Sequence, residues 1–517
     1  MSPRPAAASP WRLRARLLAP AVALVLVLGA ACSGGSSSKV ADSRPTSTTA
    51  RRETTTTTAA PFVPAPLRWE GCSQGQCATL AVPLDPAQPQ GPIINLALAR
   101  VPAGNPSARI GSLLINPGGP GVGGAKYARA VAQGLPAAVR DRFDVVGWDP
   151  RGTGGSTRVD CGDRLDYLFD VDVAPDDAAE QAALEASGRR FAEACATGSG
   201  LLLGHLSTGA TVQDMDVIRQ VLGDPQLTYI GFSYGTYLGA RYAVQFPDKV
   251  RAFILDGALD PSLDVEATNV QQAQGFGQSL QAFLDWCDAN RCRLRDGAPS
   301  ARAAYDALRA RIAAEPIRRS GRVLGPTHFN LAVAAPLYAG ASAYEDLAAA
   351  LDAARDGDPG PLLDEFDSYV GRDGGGRYDG EWAAFIATVC ADGPQLPLAE
   401  FPAVQQRAGA AAPDFGAENV GFAFPCSVWP VPPEISEPEP VSAPAAPPIV
   451  VVGTTGDPAT PVAWAGALAA QLGSGVLVTV EGTAHTSLLE GSSCLDGIAA
   501  RYLVDLVAPV SGTRCPG

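Results

Sequence analysis

The stretch Leu227-Thr228-Tyr229-Ile230-Gly231-Phe232-Ser233-Tyr234-Gly235 constrains this chain more than any other. Its first four residues form an apolar, partly β-branched run that reads as a buried strand. Thr236 to Ala243, just after it, reads as a helix. A serine between two glycines at a strand-to-helix junction demands a sharp turn, where flanking side chains would collide with neighbouring chain. Such a turn strains the serine backbone and stands the Ser233 oxygen clear of a sheet, with a helix N-terminus behind it to favour negative charge. The chain has 56 glycines, so the bare five-residue pattern arises easily by chance. Strand before and helix after are what separate it from an ordinary glycine-punctuated turn.

The rest of the chain repeats that rhythm. Ser112 to Ile115, Phe143 to Trp148, Val250 to Leu255, Ile449 to Val452 and Val476 to Val480 are short apolar runs, several of them followed by helical stretches. That alternation predicts a mostly parallel sheet covered by helices on both faces, with its chemistry at the carboxyl ends of the strands. Thr79 to Leu84 and Ile93 to Ala99 read as paired strands ahead of it. Residues 162–200 read mainly as helix, and Thr211 to Leu222 as the helix leading into the elbow strand. Two rigid loops follow strands. Asn116-Pro117-Gly118-Gly119-Pro120-Gly121 leaves its backbone N–H groups unscreened and fits an oxyanion site or a plain turn equally well. In Asp149-Pro150-Arg151-Gly152-Thr153-Gly154-Gly155-Ser156, Asp149 and Arg151 are expected to hold the loop by ion pairing.

At 517 residues the chain exceeds one simple core. Residues 1–31 read as a lipoprotein-type signal peptide: four arginines, an apolar run of about 12 residues broken by Pro20 and too short to span a bilayer, then small residues before Cys32. Cys32 is the candidate lipidated residue, and a secretory signal cut nearby is the alternative. Residues 32–66, rich in Thr, Ser and Pro, read as a disordered tether. The predicted core covers 67–261 and resumes at 441–517. Between them, 262–440 reads as a helical lid insertion, with helices over Val270 to Cys287, Ala301 to Ala313, Phe329 to Ala354 and Glu381 to Val389 and Pro-rich connections from Pro394. A net charge of −14, with no basic cluster past the N-terminus, argues against nucleic acid as a partner. Setting Cys32 aside leaves an even set of ten cysteines suited to an oxidising compartment. Their order suggests the local pairs Cys72–Cys77, Cys161–Cys195, Cys287–Cys292, Cys390–Cys426 and Cys494–Cys515. Spacing alone does not dictate that connectivity. With three histidines and no pair of Cys-x-x-Cys units, no structural zinc, other metal or organic cofactor is expected.

A serine hydroxyl needs a base before it can act as a nucleophile. His205 precedes the elbow and His328 lies in the insertion, so His485, on the loop after the last core strand, is selected by the chain order serine, acid, histidine. Asp457, in Gly-Asp-Pro-Ala-Thr-Pro after a buried strand, is the expected acid, with Asp256 at another strand end as its rival. Backbone N–H groups of Tyr234 and Gly119 are the candidate oxyanion donors.

These motifs together resemble the secreted tripeptidyl aminopeptidases of actinobacteria: Asn-Pro-Gly-Gly-Pro-Gly, Asp-Pro-Arg-Gly-Thr-Gly-x-Ser, Gly-x-Ser-Tyr-Gly-Thr, Gly-Asp-Pro-x-Thr-Pro and a final Gly-x-x-His, from about residue 67 onward. That family is related to proline iminopeptidases and includes mycobacterial cell-envelope lipoproteins. The resemblance implies an α/β-hydrolase fold with an inserted lid and Ser233, Asp457 and His485 as a triad. It also implies release of short peptides from peptide or protein substrates with a free N-terminus. The expected setting is extracytoplasmic, as a cell-envelope lipoprotein or a secreted protein, touching membrane only through an N-terminal lipid. Asp392, Glu345 and Asp346 are candidates for reading a substrate amine, each with an ordinary solvated acid as the alternative. A carboxylesterase or lipase with the same triad is the rival function, and an inactive tethered binding protein the second.

Overall fold

The computed structural model describes residues 62–393, 395–435 and 437–517. The signal-peptide and lipidation readings, Cys32 included, and nearly all of the tether lie outside the described residues.

Ten strands form one sheet: β1 (Glu70–Cys72), β2 (Gly75–Pro83), β3 (Ile93–Val101), β4 (Gly111–Asn116), β5 (Phe143–Trp148), β6 (Leu227–Phe232), β7 (Val250–Asp256), β10 (Ile449–Thr454), β11 (Gly475–Val480) and β12 (Thr513–Cys515). Their order is β1-β2-β3-β5-β4-β6-β7-β10-β11-β12. The first three strands pair antiparallel, as does β3 with β5, and every later neighbour is parallel. Every residue of β4, β5, β6 and β10 is buried, which parallel strands covered on both faces require.

Alternation sorts these side chains into two cores. Leu114, Tyr229, Phe253 and Val451 point to one face, under the helices Thr208–Leu222, Tyr234–Gln245 and Val462–Leu472. Leu113, Ile230, Ile254 and Val450 point to the other, under the helix Ser493–Asp505. Strand order reverses at β4, whose neighbours β5 and β6 lie on opposite sides of it. The crevice beyond the carboxyl ends of β4 and β6 is therefore where a parallel sheet of this kind opens to a ligand.

Between β7 and β10 run helices from Val265–Asn290 to Phe424–Ser427 and the hairpin β8 (Ile317–Arg319) and β9 (Arg322–Leu324). Their apolar side chains, Leu331 and Phe366 among them, belong to the same core cluster as Leu114 and Tyr229, so the insertion shares one continuous core with the sheet body. Residues 162–200 are mainly helical, as expected, over Asp166–Phe169 and Ala178–Ser199. Two sequence expectations need correction here. The helix expected over Phe329 to Ala354 is broken into Pro326–Leu337 and Tyr344–Arg355, with Gly340 between them at φ +58°, outside the right-handed helical region. The chain after Pro394 is not only connection but carries the helices Phe401–Ala411 and Gly416–Phe422.

All five expected cysteine pairs are disulfides. Arg151 and Asp149 are both buried, but they do not pair with each other. Arg151 makes a two-pronged ion pair with Asp214, at 2.8 Å on each prong, and also donates to the carbonyls of Leu84 and His205. Asp149 instead accepts the N–H groups of Ala125 and Gly155. Arg151 thus holds the loop by ion pairing, as expected, while Asp149 does so through backbone N–H groups and not through an ion pair.

Candidate active site

β6 ends at Phe232, and the helix Tyr234–Gln245 starts two residues later. Ser233 between them adopts φ 53°, ψ −123°, a backbone state that costs about 1–3 kcal/mol in a non-glycine residue. The turn can close only because its flanks have no side chains. A Cβ on Gly231 would strike the carbonyl of Gly235, and one on Gly235 would lie 2.9 Å from both oxygens of Asn116. The Ser233 N–H donates to the Asp256 carbonyl (2.8 Å), and the Ser233 carbonyl accepts the Thr236 hydroxyl (2.7 Å). Ser233 is 1% exposed, and its Oγ has no hydrogen-bond partner among the described residues.

Asp457 and His485 come from the loops after β10 and β11. His485 Nδ1 lies 2.9 Å from each carboxylate oxygen of Asp457. Asp457 is itself fixed: Oδ1 accepts the N–H groups of Ala459 and Thr460, each at 2.9 Å, and Oδ2 accepts the Thr460 hydroxyl at 2.8 Å. Nδ1 faces the carboxylate, so Nε2 is left as the working nitrogen, and it too is buried without a partner among the described residues. Two unpartnered polar atoms, Ser233 Oγ and His485 Nε2, thus stand ready at the carboxyl edge of the sheet. A hydroxyl there can lose its proton to an imidazole whose charged form the carboxylate stabilises.

The glycine loop after β4 closes this crevice. A Cβ on Gly118 would lie 2.9 Å from Ser233 Cβ and 3.4 Å from the Tyr234 nitrogen, so the loop backbone runs against the nucleophile turn. Gly119 follows at φ +108°, and its N–H donates to no acceptor among the described residues. Tyr234 is the first residue of its helix, where the N–H has no intrahelical acceptor. Both candidate donors are therefore free to face developing charge.

The insertion reaches the same point. The His485 N–H donates to the Tyr338 carbonyl (2.8 Å), and the Tyr338 ring stands edge-on to the imidazole at 5.3 Å. The helix Glu381–Asp392 packs on Gly121, where a Cβ would meet the Phe385 nitrogen at 2.5 Å. Sequence reasoning did not find Tyr338, which no motif connects to the histidine. Nor did it single out Thr460, although that residue lies within the quoted Gly-Asp-Pro-x-Thr-Pro run.

The remaining candidates separate clearly. His328 is buried in the insertion beside Phe366, where desolvation pushes its imidazole down to about 4. His205 lines a cavity of about 850 Å³ between the helices Thr208–Leu222 and Tyr234–Gln245 and the Pro432–Val441 segment; none of Ser233, Asp457 and His485 lines it. Asp392 is not available to a substrate amine. Its carboxylate is half-buried and already engaged: desolvation raises it to about 7, and it accepts both the N–H and the hydroxyl of Thr208. That hydroxyl also bonds the Tyr234 phenol, so Asp392 joins the insertion to the nucleophile helix. Glu345 and Asp346 are exposed, in the first turn of the helix Tyr344–Arg355.

Fold and site together define a serine hydrolase. The chain belongs to the α/β-hydrolase fold family, whose model matches residues 111–492. Within that family it is 36% identical to the serine protease Hip1 of Mycobacterium tuberculosis over 489 residues, covering 88% of this chain and 92% of the relative. It is 34% identical to carboxylesterase B of the same organism, over 88% of this chain and 91% of that one. It is 32% identical to the tripeptidyl aminopeptidase of Streptomyces lividans, over 77% and 76% of the two chains. The resemblance read from the motifs therefore extends over nearly the whole chain.

Proposed function

We propose that this serine hydrolase is an exported aminopeptidase that releases short peptides, tripeptides among them, from substrates with a free N-terminus. The observation that carries the chemistry is the Asp457–His485 pair, with its free Nε2, at the edge where Ser233 stands with a free hydroxyl.

Ser233 Oγ attacks the scissile carbonyl carbon while His485 Nε2 takes its proton. The imidazolium is stabilised by Asp457. Charge on the carbonyl oxygen is met by the N–H groups of Gly119 and Tyr234, already fixed in place before reaction. His485 then hands its proton to the leaving amine nitrogen, which departs and leaves an acyl-enzyme on Ser233. Water, deprotonated by His485, attacks that ester, and the carboxylic acid product leaves with Ser233 restored.

Names of the relatives support peptide cleavage, and the five disulfides support an oxidising compartment outside the cytoplasm. In this reading residues 1–31 are removed, Cys32 carries a lipid, 32–66 tether the enzyme to the cell envelope, and 262–440 form the lid over a core of 67–261 and 441–517. The alternative, a carboxylesterase, is favoured by one observation, the 34% identity to carboxylesterase B.

A fluorophosphonate probe should label the wild type and leave Ser233→Ala unlabelled; labelling of that variant would remove Ser233 from the mechanism. Digestion of a peptide library followed by mass spectrometry decides between the substrates. Cleavage at a fixed count from the free amine supports the aminopeptidase. Turnover of p-nitrophenyl esters with no peptide cleaved would make the enzyme an esterase.

A further inference from the structure

Asp256 closes β7 and is completely buried. Its backbone carbonyl accepts the Ser233 N–H at 2.8 Å. Its side-chain Oδ2 accepts two further N–H groups, from Ser487 at 2.9 Å and Leu488 at 2.7 Å. Oδ1 has no hydrogen-bond partner among the described residues. One residue thus holds the nucleophile with its main chain and the segment just after His485 with its side chain.

That segment needs holding. Thr486, directly after the histidine, sits at φ +69°, in the left-handed region that a β-branched residue avoids. Leu489 is left-handed as well, at φ +73°. The turn persists only where its surroundings over-determine it. The two N–H groups on the Asp256 carboxylate do so from below. Gly257 completes the floor, because a Cβ there would lie 3.0 Å from Thr486 Cγ2 and 3.1 Å from His485 Cε1.

A carboxylate is a costly group to bury for a merely structural purpose, since water is lost and no cation replaces it. The charged or titratable groups that act on Asp256 are His485 and Asp457. Burial pushes the Asp256 carboxyl up to about 6 and Asp457 adds to that, while the two N–H donors and His485 oppose it.

We propose that Asp256 is a positioning residue for the reaction at Ser233: it ties the strained turn after His485 to the strand end that fixes the nucleophile, and its charge joins that of Asp457 in stabilising the imidazolium. This rests on the triad reading above. Asp256 touches neither substrate nor reacting atom and acts through His485.

The test compares Asp256→Asn and Asp256→Ala with the wild type on one chromogenic substrate across pH, alongside fluorophosphonate labelling rates and melting curves. Asparagine keeps an oxygen for both N–H donors and removes the charge. Its acid limb of kcat/KM should move to lower pH by about half a unit, because the imidazolium loses a stabilising neighbour. Alanine frees the turn, so kcat should fall by about 10- to 100-fold with KM within about twofold, and labelling should slow in parallel. If the alanine variant does not fold, the acid limb of the asparagine variant decides alone. An unmoved acid limb in a folded asparagine variant overturns the proposal, as does an alanine variant with wild-type kcat. A failure of the triad reading itself is told apart by Ser233→Ala, which would then still be labelled.

Discussion

Asp457 presents both carboxylate oxygens to His485 Nδ1 at the same distance, 2.9 Å, while Oδ1 also accepts the Ala459 and Thr460 N–H groups. An asparagine there would keep its oxygen on those backbone donors and turn its NH₂ toward Nδ1. That forces the imidazole tautomer with its proton on Nε2, where it cannot accept one from serine. Asp457→Asn should therefore lower kcat by about 10³- to 10⁴-fold with the fold intact. Steady-state kinetics and a melting curve check it. A loss below about tenfold would pass the acid's role to Asp256.

Gly118 is held at φ +101°, with Phe232 O 2.7 Å and Ser233 Cβ 2.9 Å from where a Cβ would stand. Gly118→Ala should abolish fluorophosphonate labelling and cost about 2 kcal/mol or more of stability, because backbone must move. Gly162 at φ +82° has open space around its Cβ position. Gly162→Ala pays only conformational strain, about 1 kcal/mol, and should label normally. Equal effects at the two sites, read by labelling and thermal melts, would show that strain alone accounts for Gly118.

Burial raises the Asp392 carboxyl from 3.8 to about 7, against the lowering effect of the Thr208 hydrogen bonds. The folded chain then holds this proton more tightly than the unfolded chain does. Stability from this group is complete below pH 3.8 and falls as pH rises toward 7, by up to about 1.4 kcal/mol per pH unit. Asp392→Asn should flatten that slope, and its advantage over the wild type should grow between pH 5 and pH 7. Chemical denaturation of both proteins at several pH values measures the difference. Parallel slopes would show the carboxylate is paid no such penalty.

Tyr338 reaches His485 twice, through its carbonyl and through its ring. Tyr338→Phe keeps both contacts and should hold kcat within about twofold. Tyr338→Ala removes a 4% exposed aromatic side chain and should cost about 3–5 kcal/mol of stability, with kcat lowered by about tenfold where the protein remains folded. Wild-type kcat in a folded alanine variant would mean that the insertion does not steady the imidazole through this ring.

Much of this molecule was written in short-range chemistry. The elbow at Ser233 needs only a strand, two glycines and a helix in sequence, so it could be read directly. The strands were legible because parallel strands buried on both faces are unbroken apolar runs. His485 emerged because only three histidines exist and one follows the long apolar strand β11. Cysteine order suggested the disulfides without dictating them, and the fold joins those neighbours, which lie 5 to 36 positions apart. Helix ends in the insertion were less legible, since Gly340 interrupts a pattern that periodicity alone continues.

What the chain alone left open was decided by packing. Asp256 and Asp457 both follow buried strands, and nothing local says which will face the imidazole. Adjacent strand ends place Asp457 beside Nδ1 and Asp256 beneath the next turn. Arg151 met Asp214 rather than Asp149, and Asp392 met Thr208, because each choice depends on which helix covers which loop. Runs of residues carry their own backbone preference, so strands and turns can be read along the chain. The direction of a buried charge is set by neighbours distant in sequence, and only the closed fold brings those neighbours to it.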